Sequence, residues 1–323
     1  MSKVSIIGAG NVGATAAMKM AMNLVASEIV LLDIKEGIAE GKAMDIMQCS
    51  MADDFSANVI GVTNDYSATR NSDVIVITSG VARKPGMTRE DLVGINSNIM
   101  KNVIVECNKY SQKAIYVVVS NPMDTMTMQT INILEYINPG ADFKKRVIGM
   151  GGLLDSSRFR YFIWKELVNK GEHLKIDNIQ DAWVVGGHGD VTMIPITENV
   201  KIIEGSSIND LKDYFTDGEI EKIVENTMKG GSILTNLLGT SAWEAPGACI
   251  AETVDAILYN GYYSTTPRPF SVYREEYGCC IGSMVTLNRD GVLSIEKESD
   301  NIIAKMKISA EAIKKVNAVI PNI

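Results

Sequence analysis

Histidine and cysteine are scarce in this chain of 323 residues, which has two histidines and five cysteines. The number of cysteines is odd, and no two of them have the C-x-x-C spacing that is typical of zinc and redox sites. We therefore expect reduced thiols in a cytoplasmic protein, and no metal site. The cysteines are Cys49, Cys107, Cys249, Cys279 and Cys280.

An excess of positive charge and long apolar runs are also lacking. The formal net charge is -8, which argues against a general affinity for nucleic acid or for an anionic membrane. No apolar run reaches the length of a membrane-spanning helix, and the sequence begins with a strand pattern rather than a signal peptide. We expect neither nucleic acid nor membrane as a partner, so local cations must hold any anionic ligand.

A glycine-rich turn follows the first apolar strand, which we expect at residues 4–7. Its sequence is Gly8-Ala9-Gly10-Asn11-Val12-Gly13, and a helical pattern comes next. Glycines at this spacing permit a tight turn and close approach of a pyrophosphate, and the helix N-terminus offers free N–H groups. A second strand, residues 28–33, ends in Asp33, 20 residues after Gly13. A carboxylate there reaches an adenosine ribose and repels a 2′-phosphate, so the pattern favours NAD over NADP.

Apolar strands alternate with helices through the first half of the chain. Besides the first two strands, we expect strands at residues 58–62, 73–78 and 114–119. This pattern indicates an α/β fold with a doubly wound parallel sheet of the Rossmann type, which binds ligands at the carboxyl ends of its strands. The second half mixes strands and helices. We predict an NAD domain at residues 1–150 and an α+β substrate domain at residues 151–323.

His188 lies in the run Gly186-Gly187-His188-Gly189-Asp190, after an expected strand at residues 181–185. The glycines predict a tight turn where the backbone can approach a ligand closely. An imidazole there can transfer protons, or it can simply cap a loop by hydrogen bonds, and this run alone does not decide. The other histidine, His173, lies in a polar helix-end context, and we expect it to be exposed. Beyond the turn we expect a strand at residues 193–203 and a helix at residues 210–229.

An acid and an arginine share one face of the helix expected from about residue 153 to 169. At about 100° per residue, Asp155 and Arg158 lie on the same side, whereas Arg160 points away from Arg158. An aspartate bonded to one imidazole nitrogen fixes the tautomer and raises the pKa of the ring. With His188, this pair can form a proton-transfer site for a carboxylic acid. The alternative is an intrahelical ion pair worth about 0.2–0.5 kcal/mol.

A basic loop follows the strand expected at residues 73–78. It contains Arg83, Lys84 and Arg89, and Thr88 is a suitable N-cap for the next helix. At the ligand-binding edge of a parallel sheet, such a loop favours a mobile lid that brings cations onto an anion. A solvated basic loop is the alternative.

Taken together, these segments resemble the lactate/malate dehydrogenase family, in family order and at family spacing over nearly the whole chain. The resemblance implies that His188 and Asp155 form a catalytic dyad, that Arg158 binds the substrate's α-carboxylate, and that Arg89 polarises the ketone. Asn121 would hydrogen-bond near the nicotinamide and the substrate. The matching segments are Gly8-Ala9-Gly10-Asn11-Val12-Gly13, Val30-Leu31-Leu32-Asp33, Val119-Ser120-Asn121-Pro122, Leu154-Asp155-Ser156-Ser157-Arg158-Phe159-Arg160 and Gly187-His188-Gly189-Asp190. The implied cofactor contacts are Gly8, Gly10, Asn11, Val12, Gly13, Asp33, Asn96, Val119 and Asn121.

Arg83 bears on the choice of substrate. Six positions before the catalytic loop arginine, lactate dehydrogenases typically have glutamine and malate dehydrogenases have arginine. Oxaloacetate brings a second carboxylate to pair with Arg83, whereas pyruvate would leave a guanidinium uncompensated in a dry site at a cost of about 3–5 kcal/mol. The resemblance thus implies NAD-dependent interconversion of (S)-malate and oxaloacetate, small dicarboxylates of the tricarboxylic acid cycle. An L-lactate dehydrogenase or a relaxed 2-hydroxy acid dehydrogenase is the alternative.

The helix motif and the basic loop are most like those of the lactate-dehydrogenase-like branch of malate dehydrogenases. That branch implies a homotetramer, with a homodimer as the alternative. Residues 240–246 lie where the family lines the pocket wall, and Trp243 and Glu244 are bulkier or more acidic than expected there. An NAD-dependent glycosidase is disfavoured because the chain is short and has no evident metal-ligand spacing. The combination of Asp155, Arg158 and His188 argues against a regulator without catalysis.

Overall fold

The computed structural model describes residues 2–81, 88–259 and 266–321, with Arg89 described by its backbone alone. Two residues of the expected lid, Arg83 and Lys84, lie outside these ranges. Within the described ranges, no helix combines the length and the apolar character needed to cross a bilayer.

The first half alternates strands and helices, as expected from its short apolar runs. All four residues of each of the two central strands at 74–77 and 115–118 are buried, because helices cover both faces of the sheet. The strands are β1 (Lys3–Ile7), β2 (Glu28–Asp33), β3 (Asn58–Thr63), β4 (Val74–Ile77), β5 (Ile115–Val118) and β6 (Val147–Gly149). The helices are α1 (Asn11–Met22), α2 (Ile38–Gln48), α3 (Ser50–Asp53), α4 (Arg89–Tyr110) and α5 (Met123–Ile137).

The second half has shorter strands and a mixed order of elements. Its strands are β7 (Ile179–Gln180), β8 (Val184–Gly186), β9 (Met193–Pro195), β10 (Lys201–Glu204), β11 (Ser207–Asp210), β12 (Arg268–Arg274), β13 (Cys279–Asn288) and β14 (Gly291–Ile295). Its helices are α6 (Gly152–Asn169), α7 (Leu211–Tyr214), α8 (Asp217–Met228), α9 (Gly230–Leu238), α10 (Glu244–Leu258) and α11 (Asp300–Asn317). Short 3-10 turns span Tyr66–Thr69, Ile176–Asn178 and Thr197–Asn199.

The larger sheet begins with the parallel order β3-β2-β1-β4-β5-β6. This is the strand order of a dinucleotide-binding fold, and it confirms the expected Rossmann architecture. The order reverses between β1 and β4, which opens a crevice at their carboxyl ends. Beyond β6 the sheet continues with the antiparallel strands β12, β13, β8 and β9, and β14 pairs with β13. The two halves of the chain therefore share one continuous sheet.

One apolar cluster extends through both halves of the chain. It includes Val4 and Ile6 of β1 together with Ile250 of α10, Phe270 of β12 and Val285 of β13, all at most 1% exposed. The halves thus share a core as well as a sheet, and this core supports the cleft between them.

Three local predictions for the second half are wrong. The strand expected at 181–185 begins only at Val184, because Asp181 has a left-handed φ of 54°. The strand expected at 193–203 stops at Pro195, continues as a 3-10 turn, and resumes as β10 in a separate sheet with β7 and β11. The helix expected at 210–229 is interrupted at Phe215, which is extended, and restarts where Thr216 caps α8.

Candidate active site

The glycine-rich turn connects β1 to α1 at the crevice. Gly8 has a φ of 111°, and a Cβ on Gly13 would lie 2.0 Å from the Gly8 carbonyl oxygen, so both positions require glycine. Apart from Gly10 and its chain neighbours, no atom of the described residues lies within 4 Å of the Cβ position at Gly10. The first turn of α1, which begins with Asn11 and Val12, contains no acidic residue. Open space before free helical N–H groups suits a pyrophosphate.

Asp33 ends β2 beside this turn. Its Oδ2 accepts a hydrogen bond from the Ala9 N–H at 2.8 Å, and its Oδ1 accepts one from the Lys35 N–H at 3.0 Å. The two bonds fix the carboxylate at the sheet edge, and each oxygen retains lone-pair capacity for a further donor. A ribose hydroxyl is a donor of that kind, so Asp33 fits an adenosine.

Asn96 of α4 joins the loops that follow β4 and β5. Its Oδ1 accepts from the Val81 N–H at 2.9 Å, and its Nδ2 donates to the Asn121 carbonyl oxygen at 2.6 Å. The side chain is 1% exposed. These contacts make Asn96 a brace between the two loops, and its contact with a cofactor stays a prediction.

A cleft of about 610 Å³ brings groups from both halves of the chain together. It extends from the start of α1, across the carboxyl ends of β4 and β5, to α6 and the histidine turn. A larger cavity of about 810 Å³ lies against β12 and β14 and contains none of the predicted site residues. The predicted site residues that line the cleft are Val12, Val119, Asn121, Arg158 and His188.

Asp155 connects the histidine to the arginine. It lies in the first turn of α6 and is 1% exposed. Its Oδ2 is 2.7 Å from Nδ1 of His188, and its Oδ1 accepts a hydrogen bond from Nη1 of Arg158 at 2.9 Å. Arg160 points away as predicted and donates to the Ile176 carbonyl oxygen. One buried carboxylate therefore orients both the imidazole and the guanidinium.

The His188 turn is held by contacts from several elements. Gly186 has a φ of 83°, and the Gly187 N–H donates to the Ser309 hydroxyl of α11 at 2.9 Å. On the strand before the turn, the Val184 N–H donates to the Ser156 hydroxyl at 2.8 Å. Ser156 follows Asp155 on α6, and Val184 lies on the strand that leads to His188. This bond therefore holds the strand of the histidine against the helix of its carboxylate partner.

Asp124 was not predicted as a site residue, although it contacts the histidine turn. Its Oδ2 accepts the backbone N–H of His188 at 2.7 Å, and its Oδ1 accepts the Ser271 hydroxyl at 2.6 Å. An acid in the first turn of a helix is ordinary in a sequence, because it complements the helix dipole. Only its position three residues after Asn121 hinted at the site.

The pKa of His188 lies above its ordinary value. Burial tends to lower this pKa, but the charge of Asp155 and its hydrogen bond to Nδ1 raise it. The charge of Arg158 lowers the pKa, and that of Asp124 raises it. The surroundings therefore favour the protonated imidazole, with Nδ1 bound to Asp155 and Nε2 left for proton exchange.

Arg158 retains hydrogen-bonding capacity for a ligand. Its side chain is 14% exposed and lines the cleft, and its buried Nε has no hydrogen-bond partner among the residues that the structure describes. The start of α9 packs against it, where a Cβ on Gly230 would lie 3.0 Å from Arg158 Cδ. A guanidinium with unused donors in a cleft suits a carboxylate, which accepts two parallel hydrogen bonds.

The two predicted arginines of the basic loop, Arg83 and Arg89, are described only in part. Arg89 begins α4, and Thr88 caps this helix as expected, in a capping box with Asp91. The side chain of Arg89 and all of Arg83 lie outside the description. His173 is exposed, as expected.

The wall of the cleft near residues 240–246 consists of small side chains. Ser241, Ala242 and Pro246 line the cleft. The side chain of Trp243 instead donates to Glu244 at 3.0 Å, and Glu244 is exposed. Across the described ranges, no three His, Cys, Asp or Glu side chains are grouped so that they could hold a metal ion.

Comparison with known proteins gives concordant matches over the full chain. The family model described as lactate/malate dehydrogenase, NAD binding domain, matches residues 2–149, and the alpha/beta C-terminal domain of the same family matches residues 153–321. A malate dehydrogenase of Bacteroides fragilis is 46% identical over 100% of this chain and 99% of that protein. The solved malate dehydrogenase of Salinibacter ruber has a TM-score of 0.85 at 36% identity, covering 98% and 97% of the two chains. A Cryptosporidium parvum lactate dehydrogenase, solved with lactic acid and NAD, has a TM-score of 0.85 at 28% identity, covering 100% and 98%.

Proposed function

Because the chain belongs to the lactate/malate dehydrogenase family, it is an NAD-dependent oxidoreductase, and we propose that it interconverts (S)-malate and oxaloacetate. The observation that carries this proposal is the Asp155 carboxylate, which is shared between His188 and Arg158 at one end of the cleft. The nucleotide turn lies at the other end, with Val12 on the cleft wall. An acid–base group, a carboxylate-binding group and a dinucleotide site are what this reaction requires.

The chain's residues at the crevice fit NAD. The open position at Gly10 and the N-terminus of α1 would hold the pyrophosphate, and Asp33 would bind the adenosine ribose. Val119 and Asn121 line the cleft beyond them, where the nicotinamide would lie. When bound, NAD supplies or accepts the hydride.

His188 moves the proton that accompanies the hydride. In reduction, Nε2 of the protonated imidazole donates to the oxygen of the former ketone, and in oxidation it accepts the hydroxyl proton. Asp155 holds Nδ1, so the ring keeps one orientation in both directions. Arg158, whose side chain lines the cleft, uses N–H groups that do not bind Asp155 to hold the carboxylate next to the reacting carbon.

Two loop arginines complete the proposed site. Arg89 stabilises the negative charge that develops on the ketone oxygen, and Arg83 pairs with the second carboxylate of the dicarboxylate. Their place in the chain supports these roles: Leu92, one turn into α4, lines the cleft. Closure of the loop over the substrate would exclude water and strengthen both interactions.

The test is NADH oxidation with oxaloacetate and with pyruvate in parallel, expressed as the ratio of the two kcat/KM values. We expect oxaloacetate to be preferred by about 10²-fold or more, because pyruvate leaves the charge of Arg83 unpaired. Arg83→Gln should collapse this ratio. Lys84→Gln is the matched control, because it removes a charge from the same loop and should preserve the ratio. A wild-type preference for pyruvate would instead identify a lactate dehydrogenase.

The same proposal includes a place in the tricarboxylic acid cycle, a cytoplasmic location and assembly into a homotetramer, with a homodimer as the alternative. Five free cysteines suit a reducing compartment. Exposed apolar side chains support burial against a second copy, since Ile34, Met44 and Met51 are 76%, 63% and 97% exposed. Sedimentation velocity distinguishes tetramer from dimer, and a monomer at micromolar concentration would reject both.

A further inference from the structure

Asp124 is a buried acid that belongs neither to the nucleotide site nor to the His188–Asp155 pair. It is the second residue of α5 and is 6% exposed. Both of its carboxylate oxygens accept hydrogen bonds from groups distant in sequence. The backbone N–H of His188 donates to Oδ2 at 2.7 Å, and the Ser271 hydroxyl donates to Oδ1 at 2.6 Å.

The position of Ser271 makes this network a junction of three elements. Ser271 is fully buried and forms the one pairing of β12 with β6, opposite Gly149. Asp124 therefore joins the start of α5, the seam between the parallel and antiparallel strands, and the backbone of the histidine. Burial of a carboxylate is costly unless its oxygens are hydrogen-bonded, and here both are. The N-terminus of α5 adds a favourable dipole.

The imidazole of His188 lies among charged groups from two helices. Asp155 and Arg158 face it from α6, and Asp124 faces it from α5. From β13, the pKa values of the Cys279 and Cys280 thiols are raised, first by burial and then by the negative charge of Asp124. Asp155 contacts the ring, whereas Asp124 contacts the backbone of the same residue. The two acids thus fix the histidine at two separate points.

We propose that Asp124 is a positioning residue of the proton-transfer step, whose carboxylate fixes the backbone of His188 so that its imidazole stays against Asp155 in the cleft. Its negative charge also favours the protonated imidazole. The kinetic test of this inference rests on the proposed function. The contact between Asp124 and the His188 backbone does not depend on which substrate binds.

Asp124→Asn removes the negative charge of the side chain and keeps its size and shape. The amide oxygen can still accept the His188 N–H, and the amide nitrogen can donate to the Ser271 hydroxyl. We expect kcat for oxaloacetate reduction to fall by about 10-fold, and the high-pH limb of the rate profile to move to lower pH. The dissociation constant for NADH should stay unchanged. Asp124→Ala removes the acceptor as well, and kcat should fall by about 100-fold through misplacement of the imidazole.

Thr130→Val is the matched control. Thr130 is fully buried on the same helix, and within the described ranges its hydroxyl bonds only to the Met126 carbonyl oxygen of that helix, so its loss should leave kcat and the pH profile unchanged. Ser271→Ala is a milder second variant, because it frees one oxygen of Asp124 and leaves the charge in place. It should lower kcat in the same direction by a smaller factor, so that the proposal stays testable even if a charge variant folds poorly.

Titration of the histidines by NMR gives a readout that needs no substrate. The chain has two histidines, so exposed His173 serves as the internal standard for His188. Asp124→Asn should lower the titration midpoint of His188. If the wild-type protein shows no turnover but Asp124→Asn still shifts the His188 midpoint, the proposed function is rejected and the positioning role of Asp124 is retained. An Asp124→Asn protein with wild-type kcat, pH profile and His188 midpoint would overturn the inference.

Discussion

Asp155 is the residue on which the chemistry of the site depends. Its carboxylate is almost completely buried, yet both of its oxygens bind cationic or protonatable partners. Burial alone would lower the pKa of His188, and the neighbouring acid overcomes this effect. The same carboxylate orients Arg158, so in the proposed mechanism its removal should disturb proton transfer and substrate binding together.

The raised pKa of His188 predicts how the rates in the two directions depend on pH. In the proposed mechanism oxaloacetate reduction needs protonated His188, so its rate should fall as the pH rises through the raised pKa of His188, above the ordinary value of about 6.5. Malate oxidation needs the neutral ring and should rise through the same pH range. In Asp155→Asn both limbs should move to lower pH, and kcat should fall by about 10²–10⁴-fold. Steady-state rates in both directions from pH 5 to 10 test this, and unshifted limbs in the variant would contradict it.

Local periodicity made part of the site predictable. Asp155 and Arg158 are three residues apart on one helix, so their shared face follows from helical geometry, and the structure pairs them. Asp124 could not be found in this way, because its partners lie 64 and 147 residues away in the sequence. Its helix-start position also had an ordinary explanation in the helix dipole.

The turn at 186–192 is the element that presents the histidine. Gly186 begins it with a left-handed φ, and the turn closes where the Gly187 N–H meets the Thr192 carbonyl oxygen at 3.0 Å. Ser309 of α11 binds both sides of the turn, since its hydroxyl accepts from Gly187 and donates to Thr192. Ser309 therefore holds the turn on both sides, and this fixes the position of the histidine, as a proton-transfer group requires.

Gly186→Ala tests the turn. A Cβ at this position would lie 2.5 Å from the Thr192 carbonyl oxygen, and the left-handed backbone adds about 1–2 kcal/mol of strain. Gly278→Ala is the control, because Gly278 has a φ of 67° and, beyond its chain neighbours, no described atom lies within 4 Å of its Cβ position. Both variants should lose stability in urea unfolding, with Gly186→Ala losing more and also losing kcat. Equal losses of stability and no loss of kcat would show that the turn adapts.

Elements governed by local pattern were predicted better than elements ended by distant contacts. The second strand, Glu28–Asp33, was predicted with its bounds, because an apolar run ends there in a polar loop. The prediction of one strand at 193–203 was wrong. Proline ends its first part, and its last part pairs in the other sheet, with β7 and β11. Nothing in that apolar run indicates a change of sheet.

The whole molecule is held together by a continuous sheet. A single register pair, Ser271 with Gly149, joins the parallel strands to the antiparallel ones, and one apolar cluster contains residues of β1, α10, β12 and β13. The strand alternation predicted the parallel part, since buried parallel strands are nearly all apolar. It did not predict that the second half would extend the same sheet, because that depends on which edge strand meets β6.

This continuity predicts cooperative unfolding. The two halves bury apolar surface against one another, so we expect one calorimetric transition rather than two, and a rise in Tm when NADH is added. Differential scanning calorimetry of the full chain checks both expectations. Two resolved transitions, of which only one responds to NADH, would show that the halves unfold independently.

Turnover by His188→Asn tests the assignment most directly. NADH oxidation with oxaloacetate should be measured beside the dissociation constant for NADH, which fluorescence titration supplies. If His188 carries the proton, kcat should fall by about 10²–10⁴-fold, while NADH affinity stays within about twofold of wild type. A variant that binds NADH normally and retains kcat near the wild-type value would contradict the role of His188 and the mechanism built on it.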